Sequence, residues 1–267
     1  MIKVNEQIIE QNHFPDGTLL MKYKAERGKV STITWQYESD AELFTLYSLK
    51  KHLDDVLPGW NVYLQLPYIP NARQDRVKNE EDVFTLKYFA EIINSLHFER
   101  VYVLDPHSYV SEALINNIVV VSPDSYIAQA YDGIRQDIKC APLLVFYPDE
   151  GAMKRYSSMA FGEYAFGIKK RDWKTGKIEG LDVAGCVDKI KDSAILIIDD
   201  ICSRGGTFYH SAKKLKELGA KEIYLYVTHC ENTILEGELL TSGLIEKVYT
   251  TNSIFTKEHE KIEVFEL

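Results

Sequence analysis

Residues 194–229 read AILIIDDICSRGGTFYHSAKKLKELGAKEIYLYVTH. An apolar run, 194–198, leads into two carboxylates, Asp199 and Asp200, and then into the tight pair Gly205-Gly206. A helix is predicted over 207–218, because Phe208, Ala212, Leu215 and Leu218 recur at three- and four-residue spacing and Gly219 supplies the stop. A second apolar run, 222–228, follows at once. Strand, glycine turn, helix, strand is the unit from which open, mostly parallel sheets are built.

The same alternation extends outward. Apolar runs rich in Val, Ile, Leu and Tyr recur at 61–66, 100–104, 117–121, 142–147 and 247–250, and helical patterns cover 41–57 and 81–97. The runs are nearly continuous, as expected of strands covered on both faces. The fold class is therefore α/β, with mostly parallel sheets flanked by helices. A soft break at Val121-Ser122-Pro123-Asp124 separates two strand-rich halves, 1–121 and 122–267. The polar stretch 169–185 reads as a long mobile loop between ordered elements.

Composition narrows the function. The 267 residues carry a formal net charge of −9, which argues against a general nucleic-acid binder. With 45% hydrophobic and 27% charged residues the chain is an ordinary globular one. No apolar run reaches the ~18 residues of a membrane span, and MIKVNEQIIEQN lacks a secretory apolar region. Cys140, Cys186, Cys202 and Cys230 are isolated in sequence and the His residues are scattered, so free thiols in a reducing, cytoplasmic setting are expected and a zinc enzyme is not.

Ligands of open α/β sheets bind beyond the carboxyl ends of the strands. Backbone N–H groups at a helix start hold phosphate. Paired acids accept hydrogen bonds from sugar hydroxyls or hold the water shell of a metal. The segment 199–207 thus points to a phosphorylated sugar. It is neither GxGxxG nor a P-loop, so the usual dinucleotide and nucleoside-triphosphate loops do not apply.

This segment resembles the phosphoribosyl pyrophosphate motif shared by type I phosphoribosyltransferases and ribose-phosphate pyrophosphokinases. Further stretches favour the second. Pro67-Tyr68-Ile69-Pro70-Asn71-Ala72-Arg73-Gln74-Asp75-Arg76 is similar to the pyrophosphokinase PYxxxARQDR, and Asp105-Pro106-His107 to its DxH. Pro148-Asp149-Glu150-Gly151, with Arg155 beyond, resembles SPDxGGxxR; Lys169-Lys170-Arg171 resembles the DKRR of a catalytic loop; Phe14-Pro15-Asp16-Gly17-Thr18 resembles FxDGE. The resemblance runs from about residue 13 to about 252, and implies two phosphoribosyltransferase-like domains, with ATP at the first and ribose 5-phosphate at the second. It also implies diphosphoryl transfer from ATP to the C1 hydroxyl of ribose 5-phosphate, giving phosphoribosyl pyrophosphate and AMP for nucleotide biosynthesis.

Residue by residue, the resemblance implies that Phe14, Asp16, Arg73, Gln74, Asp75 and Arg76 bind ATP. Asp199, Asp200, Ser203, Arg204, Gly205, Gly206 and Thr207 would bind ribose 5-phosphate, and His107 and Asp149 would hold Mg2+. Lys169, Arg171 and His107 would be catalytic, and a homo-oligomer is implied because the FxDGE segment serves a neighbouring subunit. A phosphoribosyltransferase and a non-catalytic regulatory homologue are the alternatives.

Departures mark a divergent member. The chain reads as short at both ends; Thr18 stands where the family has Glu. DDxxDTGGT has become Asp199-Asp200-Ile201-Cys202-Ser203-Arg204-Gly205-Gly206-Thr207. The acid lost at Ser203 is expected to weaken hydrogen bonding to ribose, and Arg204 to add a cation beside the 5-phosphate.

Overall fold

The computed structural model describes residues 1–26, 28, 30–138, 141–159, 161–171 and 178–267, with the backbone alone for 169–171, 178 and 179. The chain divides into two compact units, Met1–Ser122 and Pro123–Leu267.

The first unit runs β1 (Ile2–Val4), β2 (Gln7–Ile8), β3 (Asn12–His13), β4 (Leu19–Leu20), β5 (Ser31–Trp35), α1 (Glu42–Val56), β6 (Val62–Leu66), α2 (Thr85–Ser95), β7 (Arg100–Leu104), α3 (Tyr109–Leu114) and β8 (Ile118–Val121). Among the described residues its main sheet has the order β2-β1-β5-β6-β7-β8, while β3 and β4 pair as a separate small hairpin. Strands β5 to β8 are parallel, and β1 is antiparallel to both its neighbours. Helix α1 buries Thr45, Leu46, Leu49 and Leu53, and α2 buries Leu86, Phe89, Ala90 and Ile93. These are the one-sided stripes of helices laid on a sheet, and they pack with Ile33, Leu64 and Val103 of the strands.

The second unit runs α4 (Asp124–Asp137), β9 (Leu143–Tyr147), α5 (Glu150–Tyr156), β10 (Tyr164–Arg171), β11 (Ile178–Gly185), β12 (Ala194–Cys202), α6 (Gly206–Glu217), β13 (Glu222–Cys230), β14 (Lys247–Thr251) and β15 (Ile262–Phe265). Its sheet order is β11-β10-β9-β12-β13-β14-β15, with β11 antiparallel and the remaining pairs parallel. Strand β12 is central and covered on both faces. Ile195 and Ile197 pack with Phe208, Ala212 and Leu215 of α6. Leu196 and Ile198 pack with Ile127, Ala130 and Ile134 of α4 and Tyr156 of α5. Two apolar layers claim alternate residues, so the run in sequence is continuous.

One expectation is corrected here. Residues 169–185 are not a single long loop: β10 and β11 pair antiparallel, with Ile168 opposite Asp182 and Lys169 opposite Leu181. The hairpin lies at the sheet edge, where charged residues protect an exposed strand from further pairing, so its polarity imitates a loop. Residues 172–177 lie outside the described residues, as does Cys140 of the free-thiol reading; Cys186, Cys202 and Cys230 are free. No helix among the described residues is long and apolar enough to cross a membrane.

Ile197 is fully buried at the centre of this sheet. Ile197→Ala is expected to cost about 2–5 kcal/mol in urea unfolding, with an unchanged m-value.

Candidate active site

The second unit carries the acid pair and the glycine loop at the carboxyl end of β12. Strand pairing persists beyond the acids, to Cys202 opposite Cys230, so Asp199 and Asp200 sit on rigid backbone. Asp199 Oδ1 accepts the N–H of Asp200 (3.0 Å), and Asp200 Oδ1 accepts that of Ile201 (2.9 Å). Arg155 of α5 donates Nη1–H to Asp200 Oδ2 at 3.1 Å. Asp149 caps α5, its Oδ1 accepting the N–H of Ala152 at 3.1 Å. Burial pushes the Asp199 carboxyl well above the ordinary carboxylate range, and the charges of Asp200 and Asp149 push it further. Three carboxylates thus stand at the ends of the adjacent parallel strands β9 and β12, with Arg155 as a counter-charge.

The loop that follows is shaped by close contacts. Gly205 has φ +79°, and a Cβ there would lie 2.9 Å from Leu239 Cδ2. Glycine meets both demands without strain. At Gly206 a Cβ would meet nothing within 4 Å, so this backbone faces open space at the start of α6. The first turn of a helix has N–H groups without intrahelical partners, which suits an anion. Thr207 is exposed in that first turn. Arg204 is exposed and donates Nη2–H to Glu236 Oε2 at 3.0 Å. Ser203 donates Oγ–H to Glu231 Oε2 at 2.7 Å. Glu231, at the carboxyl end of β13, was not singled out by the sequence reading. Its signal was available: an acid directly after the strand neighbouring β12, at the edge where ligands bind.

The first unit gathers two of the predicted stretches. The chain turns after β6 at Asn71, whose φ is +64°, and Gln74 Oε1 accepts the Thr85 hydroxyl at 2.7 Å. Asp75 is buried, and Arg76 forks onto it through Nε (2.7 Å) and Nη2 (2.9 Å). After β7 the chain bends at buried Asp105, φ +40°, a left-handed conformation that Asp tolerates better than most residues. This brings Ser108 and His107 beside Asp75. Asp75 is held below the ordinary carboxylate range, first by the Arg76 hydrogen bonds, with Ser108 and His107 adding to them. Arg73 is exposed and His107 half-buried. Arg73, Gln74, Asp75, Arg76 and His107 therefore belong to loops at the carboxyl ends of adjacent parallel strands.

Phe14 and Asp16 lie in the turn between β3 and β4. Phe14 is half exposed, and Asp16 Oδ1 accepts the Thr18 N–H (3.0 Å) and hydroxyl (2.7 Å). Those two bonds hold the Asp16 carboxyl below its usual range. The side chains of Lys169 and Arg171 lie outside the described residues; their backbone belongs to β10.

The donor chemistry fits a hard divalent cation. No group of three or more His, Cys, Asp or Glu stands at metal-holding distances among the described residues. Magnesium takes one or two protein carboxylates and completes its shell with substrate phosphates and water. Asp149, beside the Asp199-Asp200 pair, is suited to that role, and His107 offers a ring nitrogen in the first unit.

No family model matches the chain. The ribose-phosphate pyrophosphokinase of Pyrococcus abyssi is 29% identical over 264 residues, spanning 96% of this chain and 87% of that protein. The protein of that name from Aquifex aeolicus is 31% identical over 203 residues, 74% of this chain and 64% of its own length. Among solved structures, phosphoribosylpyrophosphate synthetase from Mycobacterium smegmatis matches with a TM-score of 0.79 at 18% identity, covering 97% of this chain and 86% of that one. Parallel sheets with helices on their faces, and an acid pair leading into a glycine loop at a helix start, define an α/β protein of the type I phosphoribosyltransferase fold. Within that fold class the chain is similar, over most of its length, to the ribose-phosphate pyrophosphokinases.

Asp199 is more acidic in the unfolded chain than in the folded one, so its ionisation opposes folding. That penalty is absent below the unfolded pKa, about 3.9, and grows as pH rises above it. Asp199→Asn is expected to raise the Tm of the ligand-free protein at pH 7, by about 2–4 °C for each kcal/mol relieved. The gain disappears below about pH 3.9. An unchanged Tm at pH 7 would show that the acid cluster carries no strain.

Proposed function

We propose that the protein is a ribose-phosphate diphosphokinase, forming phosphoribosyl pyrophosphate and AMP from ATP and ribose 5-phosphate in the cytoplasm for nucleotide biosynthesis. The observation that carries this reading is the grouping of Asp75, Arg76, Ser108 and His107 in a chain that also holds the glycine loop at α6. A sugar-phosphate site alone would suit a phosphoribosyltransferase, which has no use for a second cation-bearing site.

In this reading the 5-phosphate rests on the backbone N–H groups of residues 203–207, and the positive end of α6 stabilises its charge. Asp199 and Asp200 accept hydrogen bonds from the sugar hydroxyls, and Arg155 keeps Asp200 oriented. Arg73, Gln74 and Arg76 bind ATP, with Asp75 fixing the Arg76 fork. Phe14 and Asp16 contribute to an adenine site from a neighbouring copy in a homo-oligomer. His107 in the first unit and Asp149 in the second would each offer a ligand to magnesium, which when bound supplies positive charge against phosphate oxygens. The anomeric hydroxyl attacks the β-phosphorus of ATP, a new O–P bond forms, the bond between the α,β-bridging oxygen and the β-phosphorus breaks, and AMP leaves. Lys169 and Arg171 add positive charge to the transferring group. Catalysis of this kind is positioning and charge stabilisation, with no covalent intermediate on the protein.

Purified protein with magnesium should release AMP from ATP only when ribose 5-phosphate is present. AMP release independent of the sugar, or none with it, would overturn the reading. Lys169→Ala should lower kcat by about 100- to 1,000-fold with little change in ribose 5-phosphate affinity; an unchanged kcat removes β10 from the mechanism.

A further inference from the structure

The segments that follow β12 and β13 are tied together along residues 203–205, the first part of the glycine loop. Ser203 Oγ–H donates to Glu231 Oε2 at 2.7 Å, the Thr233 hydroxyl donates to the same oxygen at 3.0 Å, and the two hydroxyls lie 3.2 Å apart. The Glu231 N–H donates to the Cys202 carbonyl at 2.8 Å. Arg204 pairs with Glu236. A Cβ on Gly237 would come within 1.9 Å of the Arg204 carbonyl oxygen, and Leu239 fills the space beside Gly205. Each of residues 203 to 205 is thus backed by a residue between 231 and 239.

These ties are unequal. Arg204 and Glu236 are both exposed, and such pairs contribute little. Ser203 and Glu231 are only partly exposed, and hydroxyl-to-carboxylate bonds are stronger than neutral ones. One carboxylate oxygen accepting two hydroxyls is a task for an anionic group.

We propose that Glu231 is a positioning residue for the sugar-phosphate half of the reaction. Acting through Ser203 and Thr233, its carboxylate fixes the start of the loop and so the aim of the N–H groups at the phosphate. The proposal rests on the reading that residues 203–207 hold ribose 5-phosphate. Ser203 and Glu231 are a matched pair: an acid at position 203 would face Glu231 within hydrogen-bond distance. A carboxylate from the neighbouring strand end stands beside position 203 and holds it.

Steady-state kinetics and calorimetry test this. Glu231→Ala and Ser203→Ala should each raise the KM for ribose 5-phosphate about tenfold, the loss of a hydrogen bond to a charged group, while the KM for ATP stays within about twofold. The double variant should be no worse than either single one, because both remove one interaction. Ser203→Asp should impair ribose 5-phosphate binding through like-charge repulsion, and adding Glu231→Gln should restore it, since the amide donates to the new carboxylate. Equal changes in both KM values, or no rescue in the double variant, overturns the proposal while leaving the sugar-phosphate site intact. Wild-type protein that neither releases AMP nor binds ribose 5-phosphate overturns the site reading and the proposal with it.

Discussion

Carboxylates gathered at the ends of the adjacent strands β9 and β12 repel one another, and the candidate site of the second unit is built around that repulsion. Burial raises the cost of ionising Asp199, and the charges of Asp200 and Asp149 add to it. Arg155 offsets part of this through Asp200. The rest is available to any ligand that brings hydroxyl donors or a cation. A phosphorylated sugar brings hydroxyls to the acids and an anion to the start of α6, so one molecule answers both ends of the field.

The first unit follows a different rule. There the acid is satisfied internally: Asp75 is buried and held ionised by the Arg76 fork, with Ser108 and His107 beside it. Its carboxylate fixes the orientation of the Arg76 guanidinium. Exposed Arg73 and half-buried His107 accompany it at the ends of β6 and β7, and a polyphosphate is the natural complement to such a set.

Much of this was legible in sequence because the physics is local. The run 194–198, the acids after it, Gly205-Gly206 and the stripe from Phe208 to Leu218 each follow from burial on two faces, strand-end chemistry or helical spacing. The edge hairpin β10–β11 was not legible, since an edge strand half in water carries the charges expected of a loop. The short strands β1 to β4 are two or three residues long, below the length at which alternation shows. Glu231 was missed for another reason: its partner Ser203 lies 28 residues earlier, and only the parallel register of β12 and β13 joins them. The loss of the acid at Ser203 read as a weakened site. In three dimensions a carboxylate stands beside it.

The central claim is that ATP's diphosphoryl group is transferred intact to the anomeric oxygen of ribose 5-phosphate. The most direct measurement is 31P NMR of a reaction containing the protein, ATP, ribose 5-phosphate and magnesium. The account predicts AMP and a diphosphate attached at the anomeric carbon, growing together and in equal amounts. ADP with a sugar bisphosphate, or free phosphate with no anomeric diphosphate, would contradict it.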